Sequence, residues 1–303
     1  MQRGHVQDAD KVALLPSGLT HSNRLTNPLT NMNHFLRDHL LLEAEILRKG
    51  GVSLVLGAAH RQKLNAVGLL RERLFNDAGV PFSRESYRPD GSGCYKRLYT
   101  YPWSCDRDLY RYSASGADLG VLHWLRKLMP SHDVVRTPGK QTLLLYGRSD
   151  AHRRRLLNIS AHLATFRSQF EPGRRVVLWD DVWSTQPPVH RQAEIIREAS
   201  ELVTPHGAWP SVWGLFLRAR ATVVEVFSSC MTHSWLPAHV MRVLNVRHIA
   251  LGGRQLGNAR VLIDENGKVV RGCPQWPKDP DILIRPPELL AARVAHELKT
   301  PRS

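Results

Sequence analysis

From Thr142 onward the sequence alternates short apolar runs with helical patterns, and this rhythm limits the chain more than any other feature. Strand signals fall at Thr142–Tyr146, Arg175–Trp179, Leu202–Thr204, Ala221–Phe227, His248–Leu251 and Asp281–Ile284. Between and after them, helical patterns occupy Arg153–Phe166, Val189–Ala199, a stretch opening near Trp209, Leu236–Leu244 and Pro287–Leu298. Alternation of this kind predicts an α/β fold, a parallel sheet with helices on both faces. Ligands of such sheets bind beyond the carboxyl ends of the strands. That edge is expected to present Gly147-Arg148, Asp180-Asp181, His206-Gly207-Ala208 and Glu225–Ser228.

The first half is less regular. Residues 1–25 read as an irregular lead-in. An amphipathic helix follows, with Asn31 or Asn33 as N-cap and Gly50-Gly51 ending it. Val52–Leu56 is a short buried strand, Leu64–Leu74 a helix, Tyr95–Tyr101 a strand and Leu119–Leu128 a helix. Pro130, Pro138 and Gly139 mark a linker over 131–140. The expected organisation is therefore a lead-in (1–25), an amino-terminal domain (26–130), a linker (131–140) and a carboxyl-terminal domain (141–303). A chain of 303 residues suffices for two cores.

Three local patterns bear on chemistry. In the stretch ELVTPHGAWP a strand ends at Pro205, and His206-Gly207-Ala208 turns into a helix with Pro210 near its start. A turn without side-chain bulk, aiming free N–H groups outward, can cradle a phosphate; an ordinary strand-to-helix connection has the same look. In GRSDAHRRRLLN, Arg148 directly follows a buried strand, and Arg153-Arg154-Arg155 opens the next expected helix. Cations there oppose the helix dipole by about 0.3–1 kcal/mol each. A bound anion would reverse that, since each guanidinium–phosphate hydrogen bond contributes about 1.5–3 kcal/mol. A solvated basic surface is the plain alternative. Lastly, His34 and Asp38, four residues apart, share a helix face close to Asn31. They make either a functional group or a cap with a solvated ion pair.

The net charge of +15 favours anionic partners without choosing among nucleic acid, lipid headgroups and phosphorylated small molecules. No zinc-finger spacing, basic heptad region or aromatic RNA-binding signature is present, so nucleic acid is not the expected partner. The four cysteines are too dispersed for a chelate motif and form either disulfides or buried thiols. No apolar run reaches the roughly 18 residues of a membrane span. The first residues also lack the apolar core of a signal peptide.

Taken together, three blocks resemble glycosyltransferase family 61: N-x-x-H-x-x-x-D at Asn31, His34 and Asp38; Arg148 followed by Arg154, Leu157 and Asn158; and His206-Gly207-Ala208 followed by a strand carrying Glu225. Cys94 is a looser fourth match, and the resemblance spans roughly Asn31 to Leu298. It departs at Trp209, where family members usually have glycine, and in lacking their usual N-terminal membrane anchor. It implies a GT-B architecture of two Rossmann-like domains across a cleft. It also implies an inverting, metal-independent transfer of sugar from a nucleotide sugar, with a UDP-sugar as the expected donor, to a glycan or glycoprotein hydroxyl. The Golgi or endoplasmic-reticulum lumen is the expected location, with a soluble cytoplasmic relative as the alternative. No cofactor or metal is expected, and Asp180-Asp181 is a poor substitute for a D-x-D metal motif.

On that resemblance Arg148, Arg154, Asn158, His206, Gly207, Ala208 and Glu225 form the donor site. The arginines and the turn amides would neutralise diphosphate, His206 would contact phosphate or ribose, and Glu225 would accept the ribose hydroxyls. His34 is the expected base, because an imidazole titrating at about 6.5 matches neutral pH better than a carboxylate at about 3.9. Asp38 would orient it, and the two roles are interchangeable. A relative that binds glycan or nucleotide without transferring sugar is the rival expectation.

Overall fold

The computed structural model describes residues 141–301, apart from 150, 172, 186, 188, 208–212, 215, 229–234 and 272–279, together with the backbone of four strands nearer the N-terminus. The chain divides into two compact units, Met1–His132 and Asp133–Ser303.

In the first unit β1 (Lys11–Ser17), β2 (Ser53–Leu56), β3 (Phe82–Ser83) and β4 (Arg97–Pro102) form a parallel sheet of order β3-β2-β1-β4. Lys11–Ser17 corrects the sequence reading of an irregular lead-in. Its apolar run is only four residues long and meets Pro16, which removes a ladder donor and disguises the strand.

The second unit is α/β. Its strands β5 (Gln141–Leu145), β6 (Arg174–Leu178), β7 (Ala199–Pro205), β8 (Thr222–Val226) and β9 (Arg247–Leu251) make a five-stranded, wholly parallel sheet of order β6-β5-β7-β8-β9. The helices are α1 (Ile159–Phe170), α2 (Trp179–Ser184), α3 (Val189–Glu198), α4 (Trp235–Val243), the single turn α5 (Gly253–Leu256) and α6 (Pro287–Lys299). The central strands are buried on both sides, with Leu143, Leu144 and Leu145 fully enclosed, as parallel strands between helical layers require. One face carries Leu143, Leu145, Val203, Val224, Val226 and Leu251, and packs on Phe166 and Phe170 of α1 and on Leu290 and Val294 of α6. The other carries Leu144, Leu202 and Val223, by the two-residue alternation of strands. Trp179, Trp213 and Phe216 form a chain of tilted rings in the same unit, at centroid spacings of 6.2 and 5.5 Å.

A second, antiparallel sheet joins β10 (Arg260–Ile263), β11 (Val269–Val270) and β12 (Asp281–Ile284) in the order β11-β10-β12. The β10–β11 hairpin turns at Asn266-Gly267, with Gly267 at φ 76° and the Asp264 carboxylate accepting from the Asn266 and Lys268 amides. This Asn-Gly between apolar runs is a hairpin signal that the sequence reading passed over.

The order of the large sheet locates its ligand edge. From β5 the chain steps out to β6, then crosses back over β5 to β7 and continues to β8 and β9. The direction of winding reverses between β5 and β7, and open α/β sheets bind their ligands outside the carboxyl ends at such a reversal. Among the described residues no helix is long and apolar enough to cross a membrane.

His162 on α1 is fully buried, and among the described residues neither ring nitrogen has a hydrogen-bond partner of good geometry, the Pro287 backbone being its nearest polar neighbour. Burial pushes its imidazole below the ordinary histidine range, opposed more weakly by the backbone at Pro287 and the charge of Glu288. The folded chain thus holds the ring neutral in a range where the unfolded chain protonates it. Stability is complete above the unfolded value of about 6.5 and falls as the pH drops below it, by at most about 1.4 kcal/mol per pH unit. His162→Leu is expected to flatten the dependence of urea-unfolding stability between pH 7 and 5.5. Parallel slopes for the two proteins would show that His162 is not the titrating group.

Candidate functional site

The site assembles from the ends of β5, β7 and β8. At the end of β5 the backbone of Tyr146 still pairs with β7, its amide donating to the Val203 carbonyl at 2.9 Å. Gly147 then bends the chain beneath α1. A Cβ there would lie 2.7 Å from the Ile159 side chain, so only glycine permits this approach. The Asp180 carboxylate, in the first turn of α2, accepts from the Gly147 amide at 2.6 Å, the Ser149 amide at 2.7 Å and the Ser149 hydroxyl at 2.5 Å. Asp180 therefore holds the β5 loop in place. It also occupies two amides that could otherwise meet an anion.

Between those two amides stands Arg148, at a left-handed φ of 61°. Its Nη1 donates to the His206 carbonyl at 2.9 Å, across the point where the winding reverses. The guanidinium lies directly against Gly207, in the space that a Cβ would take. Among the described residues nothing accepts from the Gly207 amide. Arg148, His206 and Gly207, named separately from the sequence, thus meet in one turn.

The chain returns from this loop by a tightly pinned route. The Leu156 amide donates back to the Gly147 carbonyl at 2.8 Å, and Leu156 bridges Ile282 on β12. Arg155 binds the buried Asp281 carboxylate through its amide at 2.8 Å, Nε at 2.9 Å and Nη2 at 2.6 Å. Arg154 and Asn158 are both left-handed, at φ 59° and 58°. That is why α1 begins at Ile159 and not at Arg153, as the residue types alone would have it. Asn158 is exposed and ends the loop, its carbonyl accepting from Ala161 and His162 in the first turn of α1. Arg154 is half-buried on the same loop.

Glu225 lies on β8 with no exposed surface. One carboxylate oxygen meets His206 Nδ1 at 2.7 Å, and the other meets His248 Nε2, on β9, at 2.8 Å. Both oxygens are engaged, so the expected direct contact of Glu225 with ribose gives way to a contact with two imidazoles. Complete burial alone would raise the carboxyl pKa. Hydrogen bonds and charge from His206 and His248 outweigh it and hold Glu225 below the ordinary carboxylate range. The His206 ring stacks on Phe227, with centroids 4.6 Å apart and planes 18° from parallel, and is a quarter exposed. The sequence marks His248 only as the start of a strand and gives it no role at the site. Its signal was its place in the strand paired with β8, with Val223 opposite it.

A second guanidinium repeats the Arg148 arrangement. Arg260, at the start of β10, donates from Nη1 to the Phe227 carbonyl at 2.6 Å, and its Nη2 would lie 2.9 Å from a Cβ on Gly253. Burial lowers the Arg260 pKa. Next to Phe227, the Ser228 hydroxyl is buried without a partner. Among the described residues no three His, Cys, Asp or Glu side chains group as metal ligands. His34, Asp38, Asn31, Ala208 and Trp209 lie outside the described residues. No protein-family model and no curated protein matches the chain, and the arrangement of Arg148, His206, Glu225 and His248 stands on its own geometry.

Proposed function

We propose that the chain is an inverting glycosyltransferase of GT-B architecture that transfers a sugar from a UDP-sugar to a hydroxyl of a glycan or glycoprotein. One observation carries the reading: the Arg148 guanidinium seated on the His206-Gly207 turn, where the sheet reverses its winding. Sheets of this order bind their ligands at that reversal, and a fixed guanidinium beside a glycine amide suits a diphosphate. A parallel sheet in each of the two units is compatible with paired Rossmann-like domains.

In this mechanism the acceptor oxygen attacks the anomeric carbon as the bond to the diphosphate breaks. Charge developing on the diphosphate is met by Arg148 and Arg154 and by the Gly207 amide, without a metal. The amides of Gly147 and Ser149 serve Asp180, which in this reading leaves the Gly207 amide, at the end of β7, to meet the phosphate. His34 takes the acceptor proton, oriented by Asp38.

Titration of the full chain with UDP is expected to give a saturable heat, and Arg154→Ala is expected to abolish it while thermal unfolding stays near normal. No heat with the wild-type chain would remove the donor-site reading. Binding of UDP-sugars without transfer of radiolabelled sugar would leave a binding protein in place of an enzyme.

A further inference from the structure

The grouping of His206, Glu225 and His248 does more than fill the core. Resting on the nucleotide-sugar reading, we infer that His206 acts through Nε2 as the proton donor to the departing diphosphate, with Glu225 as its positioning carboxylate and His248 as the second anchor of that carboxylate.

An ionised carboxylate only accepts hydrogen bonds. Glu225 is held in that form, so each ring nitrogen facing it carries the hydrogen. His206 therefore donates through Nδ1 and His248 through Nε2. For His206 this leaves Nε2 as the atom that exchanges a proton, the arrangement by which a buried carboxylate sets an imidazole for acid–base work.

The three residues also differ in exposure. Glu225 has no accessible side-chain surface and His248 has 11%, whereas His206 has 25%. His206 is thus the member of the group that opens outward. Its plane is fixed by the Phe227 ring beneath it, and its backbone carbonyl holds the Arg148 guanidinium. Among the described residues none hydrogen-bonds Nε2.

The step balances as follows. The acceptor oxygen bonds to the anomeric carbon and its proton passes to the acceptor-side base. The carbon–oxygen bond to the diphosphate breaks, and its electron pair leaves with the diphosphate. His206 enters this step as the imidazolium, with Nδ1–H held by Glu225 and a second proton on Nε2; the Nε2 proton moves to that oxygen, the ring is left in the neutral Nδ1–H form, and solvent reprotonates Nε2 after the nucleotide departs. Glu225 keeps the ring in place throughout and is not itself protonated.

Two measurements on the full chain test this. Nitrogen-15 correlation spectra of the histidine rings are expected to show neutral His206 in the Nδ1–H form. Diethyl pyrocarbonate, read by peptide mass spectrometry, is expected to label His206 at least about tenfold faster than His248, with UDP shielding it. Glu225→Gln presents one acceptor and one donor, so it cannot hold both tautomers, and is expected to slow His206 labelling about tenfold. Glu225→Asp is expected to restore part of the rate. Neutral His206 in the Nε2–H form, or labelling no faster than His248, would overturn the inference, and the wild-type spectra decide even if the variants do not fold. Fast labelling in the Nδ1–H form without shielding by UDP would keep the reactive imidazole, remove its role toward diphosphate and count against the nucleotide-sugar reading itself.

Discussion

Alanine at Arg148 is expected to weaken UDP binding about a hundredfold while shifting the thermal transition by only a few degrees. The loss corresponds to about 2.7 kcal/mol, or one to two charge-assisted hydrogen bonds. The fold loses little, because Arg148 is only partly buried and its bond to the His206 carbonyl lies at the surface end of the turn and not in the core. The donor is a charged guanidinium but a partly solvated one, so the bond contributes about 1.5 kcal/mol, the low end of the charge-assisted range. In a unit of this size each kcal/mol moves the midpoint by about 2–4 °C. Calorimetric titration beside differential scanning calorimetry separates the two effects. Unchanged affinity would mean that the guanidinium serves the turn and not a ligand.

Asp180→Ala is expected to have the larger effect on stability, about 2–4 kcal/mol by urea unfolding. The carboxylate receives three donors from the β5 loop, among them the amide of buried Gly147. Removing the acceptor strands that amide away from water, and a buried donor left unsatisfied costs about 1–3 kcal/mol by itself. UDP binding should fall too, since Arg148 stands between the two clamped amides. Asp180→Asn keeps one oxygen for Ser149 but turns an N–H₂ toward Gly147, and should lose part of the stability. A drop below about 1 kcal/mol for the alanine variant would show that water replaces the carboxylate without penalty.

What was legible in the sequence follows from periodicity. The strands around Leu143–Leu145 and Val176–Leu178 are continuous apolar runs, Val223–Val226 is one broken only by Glu225, and each falls within a residue or so of its predicted place. The helix Val189–Glu198 was equally plain. Where tertiary contacts decide, periodicity misled. Arg153–Leu157 has good helix formers and no breaker, yet the Asp281 carboxylate and the Ile282 backbone draw it into a loop. At the site, a turn of small residues after a strand was readable, as was an arginine after another strand. Their meeting was not, because it depends on β5 and β7 being neighbours, and sequence order does not reveal that β6 lies outside them. Glu225 was visible as a charge in a β-branched run. Its two partners were not, since His206 and His248 reach it from adjacent strands.

Arg148 on Gly207 and Arg260 on Gly253 are shaped as knob and socket, each guanidinium filling the room left by an absent side chain. Neither position of a pair can drift alone. A methyl at Gly207 displaces the arginine from its carbonyl, and a shorter residue at 148 leaves a hollow above the glycine. Substitutions at these positions should therefore be epistatic, tolerated in company and penalised singly, so that mutational scanning of pairs would pick out the rim of this sheet as two small coevolving units.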